Sequence, residues 1–406
     1  MKRDKLFKKY YKHPKHDYEI ADTLSYTDDT GRTPDICFVY SGRERSKSYE
    51  ITMQCLADAW YDDKKFMYVR RYDATVFQIE HYFADKLDMI SDMTDGLADG
   101  ISYYRGDIKL FKNMRDDKTG KIRREWVKDV GYFIPLSSQG SHKSEQFPDC
   151  WNMIFEEVLT VESPGYLQGE PERVMNLIST VSRSKEGFRI FLISNTVTRV
   201  NPYSKAWGLK FLENKPGTVR LTKLYMDKYD PITKEEKYYL IAAHYLKDKN
   251  EITPAERKAD RNRIKTSVGS NKWEEHKLFT SMDLSFIKQF EILHSVVFEW
   301  DDAMFLANII EVPTNVRNMY IYDDEPTADT MPALYIMKKT SEPHVYTRLY
   351  TNSADRFDDY TTRGFKAVYR IDAIVERLIY RGWVIGADNL TMNDFDIVWK
   401  RLKLLS

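Results

Sequence analysis

The chain has 406 residues, more than one hydrophobic core usually supports, so its length predicts two domains. Hydrophobic residues make up 42% and aromatic residues 14% of it, which excludes a wholly disordered chain. Lysine and arginine number 62, as do aspartate and glutamate, so net charge neither favours nor excludes a nucleic-acid partner. The three cysteines lack metal-ligand spacing, and no apolar run approaches the ~20 residues of a membrane span. We therefore expect a soluble intracellular protein with neither disulfide framework nor zinc site.

Short apolar runs alternate with amphipathic or charged stretches from residue 36 to about residue 230. Continuous β-branched and aromatic runs of this length are typical of strands buried on both faces, as in a mostly parallel sheet. The sequence therefore predicts an α/β domain over residues 1–230. Its predicted strands are residues 36–40, 66–69, 153–155 and 189–194.

One insert in this domain predicts an exposed hairpin, because apolar runs at 108–111 and 122–127 flank a polar turn. Lys121, Arg123 and Arg124 would suit a track of DNA phosphates, since each neutralised phosphate releases counterions. The alternative is that the basic residues only prevent edge pairing of the sheet. Both interpretations stay open at this stage.

The remaining chain divides into a linker and a second domain. Residues 231–285 are charge-dense, and a capping box at 253–256 predicts a polar helix, so we expect a helical linker. Residues 286–406 predict a smaller α+β domain in which a strand meander is followed by two helices. Its predicted strands are residues 296–300, 304–312, 319–322, 333–338 and 345–350, and its helices are residues 372–382 and residues from about 391 onward.

The loop after the first predicted strand has the layout of a phosphate-binding Walker A loop. In that loop, backbone amides cradle phosphate, Lys47 would reach the β- and γ-phosphates and Ser48 would bind magnesium. The two glycines of G-x-x-x-x-G-K-[ST] are replaced by Ser41 and Ser46. Serine tolerates positive φ poorly, so the loop must either bend differently or carry strain. An ordinary polar turn is the alternative.

Two later strands end in residues that complete this chemistry. The strand at 153–155 runs into Glu156 and Glu157, where a Walker B strand has an acid that orders magnesium and an acid that polarises water. The strand at 189–194 leads to Asn195, at the position of a polar γ-phosphate sensor. In combination the three strand ends predict a P-loop NTPase of the additional-strand (ASCE) type.

Several unusual strings occur in one order across roughly residues 36–205. They are Arg43-x-x-Ser46-Lys47-Ser48-Tyr49, Tyr68-Val69-Arg70-Arg71-Tyr72, Ile134-Pro135-Leu136-Ser137 with Lys143-Ser144 and Pro148, Ile154-Phe155-Glu156-Glu157, Thr180-Val181-x-Arg183, and Leu192-Ile193-Ser194-Asn195 with Val200-Asn201-Pro202-Tyr203. In these strings the chain resembles the DNA-packaging ATPases of phi29-like phages, small relatives of the terminase large subunits.

The resemblance implies a ring-forming ATPase, a pentamer, that uses ATP and Mg²⁺ to drive double-stranded DNA through the portal into an empty procapsid. Such a motor works in the host cytoplasm, at the portal vertex, without membrane contact. The family has an RNase H-like C-terminal domain without nuclease activity, and some members dock on a packaging RNA.

The resemblance also implies roles for single residues. Lys47 and Ser48, in the loop that includes Ser46, would bind the triphosphate and magnesium, and Arg43 would sense the γ-phosphate. Glu156 would order magnesium, Glu157 would be the catalytic carboxylate and Asn195 the sensor. Arg183 and Lys143 match positions that act on a neighbouring subunit's site. The chain departs from the family pattern at Ser41, Ser46 and Glu156. We expect these departures to bear on the rate of ATP hydrolysis and not on the fold.

Two other functions stay open. The first is a terminase-like protein with an active nuclease, suggested by Asp301-Asp302 and Asp323-Asp324-Glu325. Turn chemistry also explains these acids, and the first strand of the second domain contains Glu299 as its one acid. The second is a scaffold at the portal whose degenerate P-loop no longer hydrolyses ATP. Arg70 and Arg71 follow each other on a strand, so they must point to opposite sides of it. A functional role for both, or one arginine in a salt bridge and the other solvated, are equal alternatives.

Overall fold

The computed structural model describes residues 2–11, 18–42, 45–72, 79–116, 120–142, 145–160, 165–183, 185–195, 198–229, 236–247, 280–281, 290–301, 303–313, 330–339, 348–351, 366–368, 372–380, 383–387 and 389–405. Two sheets organise this part of the chain, one of nine strands and one of seven.

The first sheet has the order β3-β4-β5-β2-β6-β7-β1-β9-β8. Its six central strands, β5, β2, β6, β7, β1 and β9, are parallel to one another. Strands β3 and β4 at one edge and β8 at the other are added by antiparallel pairing. The strands are β1 (Ile36–Ser41), β2 (Lys65–Arg70), β3 (Gly100–Tyr104), β4 (Asp107–Arg115), β5 (Ile122–Pro135), β6 (Cys150–Glu156), β7 (Arg189–Asn195), β8 (Thr218–Tyr229) and β9 (Glu236–Tyr245). The predicted parallel sheet and exposed hairpin, β4–β5, are confirmed.

Helices cover both faces of this sheet, which is why β1 is apolar at successive positions. Cys37 and Val39 pack in one core, and Phe38 and Tyr40 pack in the other. The first face is covered by α1 (Arg3–Tyr10), α2 (Ile20–Leu24), α3 (Lys47–Tyr61), α4 (Ile79–Tyr82) and α5 (Leu87–Met93), and the second by α6 (Glu170–Ser182) and α7 (Pro202–Trp207). Short 3₁₀ helices span Ala84–Lys86, Leu136–His142 and Phe211–Glu213.

The boundary expected at residue 230 does not agree with this sheet. Strand β9 lies inside the segment predicted as a helical linker, and it pairs in parallel with β1. Leu240 and Ile241 are fully buried there. The first sheet therefore extends to Tyr245, and the predicted helix at 253–265 lies outside the described residues.

The second sheet has the order β10-β16-β13-β12-β11-β14-β15. Strands β11, β12 and β13 form an antiparallel meander, in which β11 and β12 match the first two strands of the predicted one and β13 matches the separate strand predicted at 333–338. Strand β14 returns parallel to β11, and β15 follows parallel to β14. The strands are β10 (Thr280–Ser281), β11 (Ile292–Trp300), β12 (Ala303–Pro313), β13 (Thr330–Lys339), β14 (Arg348–Thr351), β15 (Lys366–Val368) and β16 (Val384–Gly386). The closing helices are α8 (Ala373–Tyr380) and α9 (Asn389–Leu405). The predicted strand at 319–322 lies outside the described residues.

A buried ion pair joins the two sheets. Asp394 of α9 is fully buried and accepts hydrogen bonds from the Arg199 backbone N–H at 2.6 Å, from Arg199 Nε at 2.8 Å and from Thr198 Oγ1 at 2.9 Å. The next residue, Val200, packs in the core of the second sheet. The segment that follows β7 is therefore built into the C-terminal half, and Asn201 then caps α7 through its side-chain oxygen.

Candidate nucleotide site

The parallel ladder brings the predicted strand ends together at one edge of the first sheet. Ser41 pairs with Asn195 between β1 and β7, and Glu156 pairs with Ile193 between β6 and β7. A cavity of 410 Å³ opens at this edge. Its lining residues are Arg45, Ser46, Lys47, Ser48, Tyr49, Glu156, Glu157, Ile193, Ser194 and Asn195. The structure thus places all three predicted motifs around a single cavity.

Ser46, the last residue before α3, has a backbone conformation that favours glycine. Ser46 adopts φ 56° and ψ 7°, in the left-handed region, and α3 begins at the next residue. Of the two predicted alternatives, different bending or strain, the structure therefore has strain at Ser46, because a β-carbon disfavours this conformation. The Ser46 side chain makes no capping hydrogen bond to the helix.

Ser41 adds a contact that glycine could not make. The Lys47 ammonium is almost fully buried and donates to Ser41 Oγ at 2.7 Å and to the Gly42 carbonyl at 3.0 Å. Ser41 itself lies at the end of β1, and its hydroxyl donates to the Gly42 carbonyl. The first serine-for-glycine replacement therefore affects the lysine rather than the backbone angle.

The Glu156 carboxylate is held by two tyrosines. Tyr82 OH donates to Glu156 Oε1 at 2.7 Å, and Tyr68 OH donates to Oε2 at 3.1 Å. Burial, followed by the neighbouring carboxylate, raises the pKa of both phenols well above its usual value. Both hydroxyls therefore remain donors.

The catalytic candidate Glu157 is held by two consecutive arginines on opposite sides. Its carboxylate pairs with Arg70 Nη2 at 2.7 Å, and its backbone carbonyl accepts from Arg71 Nη1 at 3.0 Å. Glu157 has φ 56°, a strained conformation that is often found at functional sites. Arg71 also forms a buried two-pronged pair with Glu170, at 2.7 and 2.9 Å. The alternative of one paired and one solvated arginine is therefore wrong, since both are paired.

The end of β7 is tied to the segment after β6. Ser194 Oγ accepts from the Leu159 backbone N–H at 3.0 Å, and it lies next to Asn195, which lines the cavity. The residue before the sensor candidate is thus hydrogen-bonded to the segment that follows β6, in addition to the β6–β7 ladder.

Arg183 is not part of this cavity. It ends α6 with φ 39°, and its Nη2 donates to the Glu145 carbonyl at 3.0 Å, close to where β6 begins. The cavity lies at the other ends of β6 and β7, seven residues away along each strand, which is roughly 20 Å. The structure therefore separates Arg183 from the cavity of its own chain. The other two predicted residues, Arg43 and Lys143, lie outside the described residues.

The charges of the predicted DNA-contacting hairpin are partly neutralised within the chain. Arg124 forms a two-pronged pair with Glu80, at 2.6 and 3.0 Å, and Arg123 pairs with Glu125 at 2.6 Å. Lys121 is exposed next to the turn. Contact between this hairpin and DNA stays a prediction.

Sequence reasoning missed Tyr82 and Glu170. Tyr82 ends a four-residue helix far along the chain from both motifs, and Glu170 opens α6. For either residue, the position in the sequence carries no periodic or motif signal. Arg71 belongs to the string Tyr68-Val69-Arg70-Arg71-Tyr72, but its role depends on Glu170, a partner 99 residues away.

A parallel sheet covered on both faces, with a cavity at its carboxyl edge behind a strand–loop–helix turn, defines a mixed α/β protein with a candidate phosphate site. Residues 30–227 match the family model described as podovirus DNA encapsidation protein (Gp16). The resemblance to the packaging proteins of phi29-like phages is therefore confirmed over this part of the chain.

Individual relatives agree with this match. The chain is 30% identical over 173 residues to the DNA packaging protein of Bacillus phage B103, covering 42% of this chain and 47% of that protein. It is 28% identical over 167 residues to the DNA packaging protein of Bacillus phage phi29, covering 41% and 44%. The aligned region spans about half the length of these curated relatives.

Similar solved structures include the bacteriophage Phi-29 viral genome packaging motor assembly, with 18% identity, coverage of 95% of this chain and 99% of that chain, and a TM-score of 0.46. The N-terminal domain of the DNA packaging ATPase from bacteriophage phi29 has 23% identity, coverage of 58% of this chain and 99% of that chain, and a TM-score of 0.40.

Among the described helices of this chain, none is long and apolar enough to cross a membrane.

Replacing Ser46 by glycine should stabilise the protein, by up to about 1 kcal/mol, because glycine adopts positive φ without a steric cost. The measurement is the free energy of unfolding in urea. Ser46→Ala is the matched control, since it removes the hydroxyl but keeps the β-carbon, and it should give no gain. Equal gains in both variants would assign the effect to the hydroxyl and not to the backbone.

Proposed function

We propose that this protein is the ATPase of a viral DNA-packaging motor, which couples ATP hydrolysis to movement of double-stranded DNA through the portal into an empty procapsid. The observation that carries the proposal is the convergence of Lys47, Ser48, Glu156, Glu157 and Asn195 on one cavity. The packaging relatives, matched over about half of their length, support the biological setting.

The strand order supports the additional-strand class of P-loop enzyme. Strand β7 lies between β1, which leads into the phosphate loop, and β6, which ends in the two glutamates. This inserted strand brings a polar residue, Asn195, next to the loop. Lys47 and the amides at the start of α3 would then bind the phosphates, and Asn195 would contact the γ-phosphate.

The residues present fit magnesium bound together with a nucleotide. The Ser48 hydroxyl and the Glu156 carboxylate line the same cavity, and oxygen ligands suit Mg²⁺. Among the described residues, no cluster of three or more His, Cys, Asp or Glu side chains could hold a metal alone. This agrees with a site completed by substrate phosphates. When bound, Mg²⁺ would neutralise charge that develops on the phosphate oxygens.

Glu157 would orient and polarise the attacking water. Its carboxylate pairs with Arg70 through Oε2, and its second oxygen, Oε1, could orient the water and accept a proton. Its backbone is meanwhile fixed by Arg71, which stays bonded to the Glu157 and Val158 carbonyls. Arg70 and Arg71 would thus fix the carboxylate and the main chain of Glu157 separately.

For the C-terminal half we propose an RNase H-like domain without nuclease activity, acting as a docking module towards the portal or a packaging RNA. The order β13-β12-β11-β14-β15, with three antiparallel strands followed by two strands parallel to β11, supports this fold. Glu299 of β11 is buried and accepts from Thr351, and Asp301 lies in the turn after β11 and accepts from Lys205. These two acids are thus engaged in structural contacts.

Lys47→Ala should abolish ATP hydrolysis while leaving the fold intact, because the ammonium would no longer reach the phosphates. Glu157→Gln should bind ATP but stall, since an amide cannot polarise water. ATP hydrolysis and nucleotide binding are measured in parallel, with circular dichroism as the control for folding. Retained turnover in a folded Lys47→Ala protein would refute the assignment. A wild-type protein that binds ATP without turnover would favour the scaffold alternative.

If Arg183 acts on a neighbouring subunit, mixing Arg183→Ala subunits with Glu157→Gln subunits should restore part of the activity. Recovery arises where an intact arginine meets an intact carboxylate, and such an arginine is worth ~10³–10⁵ in rate. The readout is ATPase activity across mixing ratios, with mixed rings verified by mass. No recovery at any ratio would place the role of Arg183 within its own chain or remove it.

Purified protein should not cut linear or supercoiled DNA in millimolar magnesium or manganese. Two-metal cleavage needs carboxylates that converge on ions ~3.5–4 Å apart, and the described acids of the second sheet do not cluster in this way. Nicking that persists through purification and disappears in Asp301→Ala would move the protein to the active terminase class.

A further inference from the structure

We propose that Tyr82 and Tyr68 are positioning residues that fix the Glu156 carboxylate where a divalent cation is ordered. They adapt the site to a glutamate at a position where P-loop enzymes usually have aspartate. This inference rests on the proposed function and deepens it, because it concerns how the proposed magnesium-ordering acid is placed.

The two hydroxyls address the two oxygens of the carboxylate separately. Tyr82 OH donates to Oε1 at 2.7 Å and Tyr68 OH donates to Oε2 at 3.1 Å. Glu156 is only 7% exposed, and the two phenol rings pack with their centroids 4.8 Å apart. One hydrogen bond to each oxygen fixes the plane of the carboxylate. Arg70 Nη1 lies 3.5 Å from Oε2, which leaves the second lone pair of Oε1 for a further donor.

Tyr82 also connects the carboxylate to the phosphate-loop helix. Its hydroxyl donates to Glu156 and accepts from Thr52 Oγ1 at 2.9 Å, and the Thr52 proton is shared with the Ser48 carbonyl one helical turn earlier. Thr52 is fully buried in α3. Glu156 on β6 is therefore linked through Tyr82 to Thr52 on α3, the helix that has Ser48 in its first turn.

The Tyr82 ring is itself held by a buried lysine. Lys86 is 3% exposed, its Nζ lies 4.9 Å from the centroid of the Tyr82 ring, and it donates to the Tyr82 carbonyl at 3.4 Å. A cation over a phenol face restrains the ring through its quadrupole. The hydroxyl that meets Glu156 is thus preorganised by a separate contact.

These contacts explain why a longer acid can serve here. Glutamate has one more rotatable bond than aspartate, and an unrestrained carboxylate would lose more side-chain entropy on ordering an ion. The tyrosines impose that order in advance. An aspartate is one methylene shorter, so its oxygens would not reach the two hydroxyls. The two acids are therefore not interchangeable in this chain.

The experiment measures binding of a fluorescent ATP analogue to the full chain, once with Mg²⁺ and once with EDTA. The ratio of the two dissociation constants reports how much the cation strengthens binding. In Tyr82→Phe we expect this ratio to fall about tenfold, since partners of metal ligands typically contribute 10–100-fold to metal affinity. Affinity in EDTA should be unchanged, and the same direction is expected for Tyr68→Phe.

Tyr132→Phe is the matched control, because its hydroxyl donates to Asp149 at 2.6 Å, at the opposite edge of the sheet. It loses a comparable tyrosine–carboxylate bond and should keep the wild-type ratio. Glu156→Asp should lower the ratio at least as much as Tyr82→Phe, because it breaks both tyrosine contacts, and the double variant should lower it little further than Glu156→Asp alone.

An unchanged ratio in a folded Tyr82→Phe protein would overturn the inference, as would additive losses in the double variant. Failure of the proposed function has a different appearance. In that case the wild-type chain itself would not bind the nucleotide analogue, or would bind it equally well with Mg²⁺ and with EDTA.

Discussion

The parallel register of β1, β7, β6 and β2 is the constraint on which the candidate site depends. Because these strands run in one direction, their carboxyl ends meet at one edge, and Ser41 faces Asn195 there. Glu156 lies beside Ile193, and Val69 lies beside Phe155, which places Arg70 within reach of both glutamates. A slip of one residue would send each of these side chains to the other face of the sheet. The chemistry is therefore a consequence of strand pairing.

A second level of control acts on the backbone next to the carboxylates. Arg71 points away from Arg70, as the two-residue period of a strand requires, and it enters a buried cluster in which Tyr203 OH also donates to Glu170 at 2.8 Å. Its guanidinium satisfies two carbonyls that follow β6. This buried network compensates for the left-handed conformation of Glu157. Removing one partner of such a pair typically costs 3–5 kcal/mol, because the remaining charge stays buried.

The sequence was most informative where chemistry is encoded by consecutive residues. Lys47-Ser48, Glu156-Glu157 and Asn195 could be placed because each follows a strongly apolar run, and such runs are reliable indicators of buried strands. Strand β9 was missed because it starts with charged residues inside a charge-dense stretch, so local composition favoured a linker. Its pairing with β1 is a tertiary effect. The left-handed Ser46 stayed undecided, since residue preference alone cannot say whether a loop bends differently or carries strain.

The contacts around the carboxylates could not be predicted for another reason. Tyr82 and Glu170 reach their partners across 74 and 99 residues of chain, and a tyrosine hydroxyl at a helix end has no sequence pattern that distinguishes bonding from packing. Only the fold shows that these side chains converge.

The Asp394 pair has a consequence for how such proteins can be recombined. Residues 198–201 precede β9 in the chain, yet Val200 packs in the C-terminal core and Asp394 binds the backbone beside it. Residues 198–201 therefore belong to the first half of the chain by sequence and to the C-terminal half by packing. A chimaera that exchanges everything after β9 would keep Arg199 from one parent and take its carboxylate partner, Asp394, from the other. The unit to exchange is therefore the C-terminal half together with residues 198–201 of the same parent.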